Sequence, residues 1–275
     1  ARESILCGAE KTIAHMADVI AAADGAVALD GWYGVDFAAI IKALRDAGVT
    51  AEFVNVNTLF RSAEELAAYK KPFLTDDPGF GYCNMEGRLI DLMDSKRVAE
   101  LKKSLKKGMV VHGYGAAIPE LFDAYAVTYY LDKTRQPLLW QMWDGQLIPF
   151  GQDAPRSDYN WKEYYYCDYF LLHFQKHFLI EKMDYYVEAI QFESLKVMPR
   201  AAYDEIVRTM LQYPIKEVEI YQPGPWGAYR YKDFWDIKGL ECNAWNELAG
   251  PELSILIDVG AEDMVNMPFV NLMQY

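Results

Sequence analysis

The chain has 275 residues, of which 52% are hydrophobic and 24% charged, so it has apolar surface for one large core or two modest ones and is excluded from the disordered class. Its 40 acidic and 27 basic residues leave a formal net charge of −13, a surface that repels phosphate backbones and argues against nucleic acid as a partner. No apolar run reaches the ~18 residues of a membrane span. The start "ARESILCGAE" lacks the basic and apolar pattern of a signal peptide, so a cytoplasmic protein with no membrane partner is expected. Cys7, Cys83, Cys167 and Cys242 are scattered with no C-x-x-C pair, which predicts free thiols.

In chain order, residues 11–23 carry Ile13, Met16, Val19 and Ile20 at helical spacing. Residues 26–30 are short, apolar and ended by a turn, as in a buried strand. Asp36 is placed to cap a helix in which Phe37, Ile40, Ile41 and Leu44 follow at i, i+3, i+4 and i+7, and Gly48 suits its end. A strand at 51–60 completes a βαβ unit. Then come a short helix at "SAEELAAY", a turn-rich loop at 73–87, and a helix at 95–108 with a basic face. "MVVHGYGAA" repeats the strand-then-glycine arrangement, and Pro119 suits the first turn of a helix. A strand is expected at 124–132, and one long or two short aromatic helices at 159–190. After about residue 213 the runs "IKEVEIYQ", "ECNAWNEL", "LSILIDVG" and "VNMPFVNLMQY" are of β type, split by turns such as "PGPWG". The chain therefore reads as an α/β domain over 1–205 and a small β module over 206–275. Its apolar end predicts either a chain cut short or an edge covered by another element.

Four places carry possible chemistry. In Asp30–Asp36 the sequence "DGWYGVD" keeps Gly31 and Gly34 but lacks the lysine of a Walker A loop, so it is either a turn or a ligand loop at the carboxyl end of a strand. In "VVHGYGAAIPE", Gly113 and Gly115 follow a strand. His112 there is either a general acid or base or a hydrogen-bonded structural residue. His173 and His177 share a helix face and could hold a metal, but Phe174 replaces the glutamate a metalloprotease needs and no third ligand follows, so a surface or interface pair is expected and no metal. In "YLDKTR", Asp132, Lys133 and Arg135 either present a basic pair to a phosphate or form a solvated helix start. The aromatic run "WKEYYYCDYFLLHF" could stack on sugar rings, although its spacing favours core packing. With no cluster that combines ligand type and spacing, no cofactor is expected.

An ordered set of stretches adds a family likeness. "ILCGAEKTIAHMADVIAAADGAVALDGWYGVDF", "DDPGFG", "VVHGYGAAI", "YLDKTR", "KEYYYCDYFLLHFQKHFLIEKMDYYVEA", "QPGPWGAYRYKDFW" and "NAWNELAGPELSILIDVG" together resemble the bacterial class I mannose-6-phosphate isomerase-like proteins. The resemblance implies a nucleoside-kinase-like α/β region followed by the beginning of a cupin. It also implies a sugar-phosphate context. The family's zinc site uses glutamine, histidine and glutamate ligands on later cupin strands. None of His15, His112, His173 and His177 lies in the tail, so those ligands map onto no residue here. The loop "DGWYGVD" also departs from the cysteine–tyrosine–proline version of relatives.

The combined expectation is a three-layer Rossmann-like or P-loop-kinase-like α/β fold with a mostly parallel sheet, no Walker A loop and a partial cupin-like tail. Its function would be to bind a phosphorylated sugar or nucleotide through Gly31, Gly34, Gly113, Gly115, Asp132, Lys133 and Arg135. His112, Asp30 and Asp36 are the candidate acid–base groups. Two rivals remain: an interaction subunit, homo-oligomeric or pairing its C-terminal strands with a partner chain, and an atypical small-molecule phosphotransferase.

Overall fold

The structure is a computed structural model, and it describes residues 2–212, 254–258 and 264–268. Strand β2 (Ala26–Gly31) is buried along its whole length, so it lies at the centre of a sheet. It pairs in parallel with β4 (Met109–His112) on one side and β5 (Tyr125–Asp132) on the other. Parallel neighbours β3 (Glu52–Asn55) and β6 (Tyr185–Glu188) extend the sheet beyond β4 and β5. Antiparallel β7 (Lys196–Pro199) and then β1 (Leu6–Cys7) complete the order β1-β7-β6-β5-β2-β4-β3.

Alternate residues along the strands face different layers. Val27, Leu29, Tyr129 and Leu131 join a core cluster that includes α1 (Ala9–Ala22) and α2 (Phe37–Asp46). Ala28 and Tyr130 join a second cluster with Leu179 of α8 (Tyr169–Ile180) and Ile206 of α9 (Arg200–Met210). This is a mixed α/β architecture around a mostly parallel sheet, as expected.

Local signals account for most helix starts. Asp36 caps α2 by accepting from the Ala39 N–H at 2.9 Å, and Phe37, Ile40, Ile41 and Leu44 are its buried face. Ser62 and Glu65 form a reciprocal capping box at α3 (Ala63–Leu74), and Asp94 caps α4 (Ser95–Ser104). Pro119 stands in the first turn of α5 (Pro119–Phe122).

Several expectations change. The strand expected over 51–60 leaves the sheet after Asn55, whose side chain accepts from the Asn57 N–H at 2.9 Å and draws the chain into a 3-10 turn. The helical stretch expected over 159–190 stops at Ile180. It comprises α7 (Trp161–Glu163), a π-helical segment (Tyr164–Asp168) and α8. Residues 185–188 instead pair with β5, where two tyrosines and a valine suit a strand once a neighbour is present. Helix α6 (Arg135–Trp143) begins at the alternative helix start of "YLDKTR", but with Arg135 buried rather than solvated; β7 and α9 arise where no element is expected, and residue 206 falls inside α9.

In the tail, β8 (Ser254–Asp258) and β9 (Met264–Pro268) pair antiparallel. The Asn266 N–H donates to Glu188 Oε2 at 2.6 Å, and Val265 and Met267 are buried with Tyr186, Met198 and Ile206, so β9 docks on the α/β layer. "IKEVEIYQ", "PGPWG", "ECNAWNEL" and Cys242 lie outside the described residues.

Candidate functional site

The four glycines singled out in the sequence converge on one edge. Gly31 ends β2, and a Cβ there would meet the Leu131 carbonyl oxygen at 2.5 Å, so only glycine lets β2 and β5 approach so closely at this point. Trp32 and Tyr33 turn inward: Trp32 Nε1 donates to the Tyr164 hydroxyl at 3.1 Å and the Tyr33 hydroxyl to Asp168 Oδ2 at 2.9 Å. Gly34, at φ 83°, brings the chain back to the surface. Gly113, after β4, donates its N–H to the Leu29 carbonyl at 3.1 Å, which joins the second glycine loop to the first strand.

The glycine amides of the first loop and the Trp32 amide are already engaged. Gly31 N–H donates to Asp30 Oδ1 at 2.7 Å, Trp32 N–H to the Leu131 carbonyl at 2.9 Å, and Gly34 N–H to the Tyr114 hydroxyl at 3.2 Å. The Gly34 carbonyl accepts from Lys133 Nζ at 2.8 Å and from Gln141 Nε2 at 3.1 Å. A phosphate nest needs such amides aimed outward. This loop is a braced turn that walls a cavity.

Asp30 is the brace. It is fully buried and accepts from Gly31, Gly115 and Ala117 N–H groups at 2.7, 2.9 and 2.9 Å and from Gln175 Nε2 at 2.8 Å. Burial raises its pKa to about 6 against the pull of those four bonds. One carboxylate thus ties β2, the 113–117 loop and α8 together.

Over the carboxyl ends of β2, β4 and β3 lies a cavity of about 370 Å³. Its lining includes Gly34, Asp36, Asn55, Asn57, His112, Gly113, Tyr114, Gln141, Gln152 and Asp153. No lysine or arginine lines it; the charges are the carboxylates Asp36 and Asp153. Burial, with Arg45 adding to it, lowers the His112 pKa to about 4, so the imidazole is neutral at pH 7. The arrangement offers amide donors and acceptors, a neutral imidazole and the Tyr114 ring, a chemistry suited to hydroxyl groups.

On the other side of the Gly34–Asp36 loop, a second space of about 430 Å³ is lined by Asp36, Lys133, Gln141, Gln191 and Glu193. Burial lowers the Lys133 pKa to about 8, with Asp36 opposing. Of the "YLDKTR" residues, Lys133 alone lines either space. Asp132 is buried against Lys176 Nζ at 2.6 Å and the Tyr186 hydroxyl at 3.0 Å. Arg135 is buried in the first turn of α6.

His173 stacks on Tyr169, with ring centroids 5.5 Å apart, and among the described residues no three His, Cys, Asp or Glu side chains group to hold a metal ion. Asp36, His112, Gly34 and Gly113 meet at one cavity, whereas Asp30, Asp132 and Arg135 lie in the packed interior behind it.

Sequence reasoning missed the amides Asn55, Asn57, Gln141 and Gln152. A signal existed for the first two, since "NVN" closes a strand at the edge where ligands bind. It also missed a buried polar network beneath the loop. Lys70 Nζ lies 2.8 Å from both Glu163 Oε1 and Asp168 Oδ2, and the Tyr159 hydroxyl donates to Asp168 Oδ2 at 2.8 Å. Burial lowers the Lys70 pKa, but Asp168 and Glu163 outweigh it and hold the ammonium charged. Asp168 belongs to the π-helical segment, where an extra backbone residue re-aims the side chains.

Comparison with curated proteins returns no match, and comparison with solved structures returns none either. The family model described as "Domain of unknown function (DUF8485)" matches residues 8–212, which span the sheet from just after β1 to the end of α9, and the chain belongs to that family.

Proposed function

We propose that this chain binds a small hydroxyl-rich molecule, a phosphorylated sugar or nucleoside, in the cavity over the carboxyl ends of β2, β4 and β3. The lining carries the proposal: amide side chains, neutral His112 and Tyr114 gather where open α/β sheets bind ligands, and no cation lies among them. Such a wall matches hydroxyls by paired donors and acceptors. In this reading Asn55, Asn57 and Gln141 set the orientation, and His112 donates or accepts one bond. The resemblance to class I mannose-6-phosphate isomerase-like sequences supports a sugar-phosphate context. Kinship with nucleotide kinases, likewise proposed, draws support from the strand order β3-β4-β2-β5-β6, with the first of these strands in sequence central and the second at the rim.

The test is a thermal-shift and calorimetric panel of hexoses, polyols, nucleosides and their phosphate esters. At least one should raise the melting temperature and bind saturably. Asn55→Ala and His112→Gln should weaken that binding about tenfold while the chain stays folded. A folded wild-type chain that binds none of the panel at millimolar concentration would overturn the reading.

A further inference from the structure

We propose that a basic cleft beside the cavity, formed by Arg61, Lys96 and Arg97, holds the phosphoryl group of the ligand; the proposal rests on the ligand reading of the cavity. The cleft measures about 600 Å³ and lies where the chain leaves β3 and meets α4. It is contiguous with the cavity. Asn57 lines both, and Gly151 lines the cleft while the next residue, Gln152, lines the cavity. That shared wall is fixed, because Asn57 Nδ2 donates to the Gln152 carbonyl at 2.6 Å and Gly151, at φ 65°, packs where a Cβ would meet Phe60 Cβ at 2.8 Å.

The three cations differ from the other buried or paired cations of the chain. Lys70, Lys176 and Lys196 each sit on a carboxylate. Arg61, Lys96 and Arg97 make no ion pair among the described residues, in a chain with 40 acidic residues. Yet the arginines are held in place. Arg97 Nη1 donates to the Thr58 and Phe60 carbonyls at 3.2 and 3.1 Å, and Arg61 Nε to the Met93 carbonyl at 3.2 Å. Their remaining N–H groups have no acceptor among the described residues. Preset guanidinium forks of this kind match phosphate oxygens in bidentate fashion.

Two carboxylates also line the cleft; each accepts hydrogen bonds at its own helix start and feels the cations beside it, Asp94 those of Arg97 and Lys96 and Glu65 that of Arg61, without a direct ion pair. Asp94 accepts from Lys96 and Arg97 N–H groups at 2.8 and 3.2 Å, and Glu65 from the Ser62 N–H and hydroxyl at 2.9 and 2.7 Å. The segments that carry the cations are latched together: Arg61 N–H donates to the Leu92 carbonyl at 3.0 Å and Asp94 N–H to the Leu59 carbonyl at 2.8 Å. A ligand reaching from the amide-lined cavity past Asn57 would place an anionic end against three cations. The division of labour is chemical: hydroxyls in a cation-free cavity, phosphoryl in a basic cleft.

The experiment titrates the full chain with inorganic phosphate by calorimetry and phosphorus NMR. The wild type should bind phosphate saturably at millimolar concentration, and Arg61→Gln with Arg97→Gln should weaken it about tenfold or more. Lys96→Gln, whose side chain bonds nothing among the described residues, should weaken it in the same direction and keeps the test open if the arginine variants lose structure. Lys133→Gln, in the other space, should leave phosphate affinity unchanged. Absence of saturable phosphate binding, equal binding of chloride at matched ionic strength, or full retention in the folded variants would overturn the cleft. The two readings separate. Phosphate binding with no response to any hydroxyl-rich compound sustains the cleft and sinks the cavity. A sugar that binds as well as its phosphate ester, with no phosphate binding, does the reverse.

Discussion

The carboxyl edge of the sheet has two halves that handle charge in opposite ways. Over β5 and β6, charge is matched inside the protein: Asp132 by Lys176 and Glu188 by Lys196. Over β3, Arg61, Lys96 and Arg97 face a cleft without an ion pair among the described residues. A matched buried pair resists change, because removal of one partner strands the other in a low-dielectric interior. An exposed cation without a direct ion pair costs the fold little and stays available to an incoming anion. The first half therefore reads as frame and the second as reception surface. Two aspartates of one loop repeat the contrast: Asp30 is buried under four donors, while Asp36 is exposed at the cavity lip.

The sharpest way to break the comparison is to mutate the frame. Asp132→Ala removes the acceptor of Lys176 and of the Tyr186 hydroxyl. The expected loss is about 3 kcal/mol in urea unfolding, since a largely buried ion pair is broken and the buried Tyr186 hydroxyl loses its acceptor. A loss under about 1 kcal/mol would show that this half tolerates unmatched charge as well as the other.

Asp30 gives an effect of similar size with a distinctive pH signature. The folded chain holds the Asp30 proton up to about pH 6, whereas the ordinary value is 3.8. Between those limits the folded state binds more protons than the unfolded one, so the stability contributed by this group falls as pH rises from 4 to 6 and is level above. The fall amounts to about 3 kcal/mol. Asp30→Asn should lower stability overall, because an amide N–H₂ then meets backbone donors, and should flatten this slope. A variant that keeps the slope would assign it to another group.

Much of the frame is legible in the sequence, and the reasons are local. Asp36 with Phe37, Ile40, Ile41 and Leu44 writes both the start and the buried face of α2. The two strand–glycine units place Gly34 and Gly113 at one cavity because successive parallel strands present the same end. What was illegible depends on partners far along the chain. Lys70 meets Asp168 across 98 residues, and Asn57 meets Gln152 across 95. Strand β6 looked helical because "EKMDYYVEAI" continues an aromatic run, and only pairing with β5 decides it. The cleft was hidden for another reason. Arg61 and Arg97 look like ordinary surface charges until the fold shows that their hydrogen-bond acceptors are backbone carbonyls.

His112 sharpens the contrast from the cavity side. Its pKa is lowered from 6.5 to about 4, first by burial and then by Arg45. The folded state therefore binds fewer protons than the unfolded one between those values. The contribution is fully present above about pH 6.5 and is lost as pH falls towards 4, opposite in sign to Asp30. The size is about 1–2 kcal/mol after allowance for partial exposure. His112→Gln should remove the acid-side loss and leave stability at pH 7 nearly unchanged. A double variant with Asp30→Asn should lose both of these opposing contributions, so its slope should lie between those of the two single variants. If His112→Gln instead costs several kcal/mol at pH 7, the imidazole belongs to the frame and the cavity has lost its one neutral acid–base group.

The smallest expected effect tests the reception surface directly. Lys96→Gln removes a charge whose side chain bonds nothing among the described residues, so no packing or hydrogen bond is lost with it. Substitutions of this kind ordinarily stay within about 0.5 kcal/mol. The sign is nonetheless fixed by the whole chain. The net charge is −13, so removal of a cation moves it further from zero and increases self-repulsion in the compact state. Asp94 lines the same cleft and loses a nearby positive charge. A slight destabilisation is therefore expected at low ionic strength, shrinking as salt shortens the Debye length to about 10 Å at 0.1 M and less beyond. Inorganic phosphate reverses the order. It should stabilise the wild type more than the variant, because only the wild type presents the full set of three cations. Urea unfolding of both chains, with and without phosphate at constant ionic strength, measures the two effects together. A Lys96→Gln chain that gains as much from phosphate as the wild type would mean that the cleft cations of this half are ordinary surface charge and that the two halves differ in packing alone.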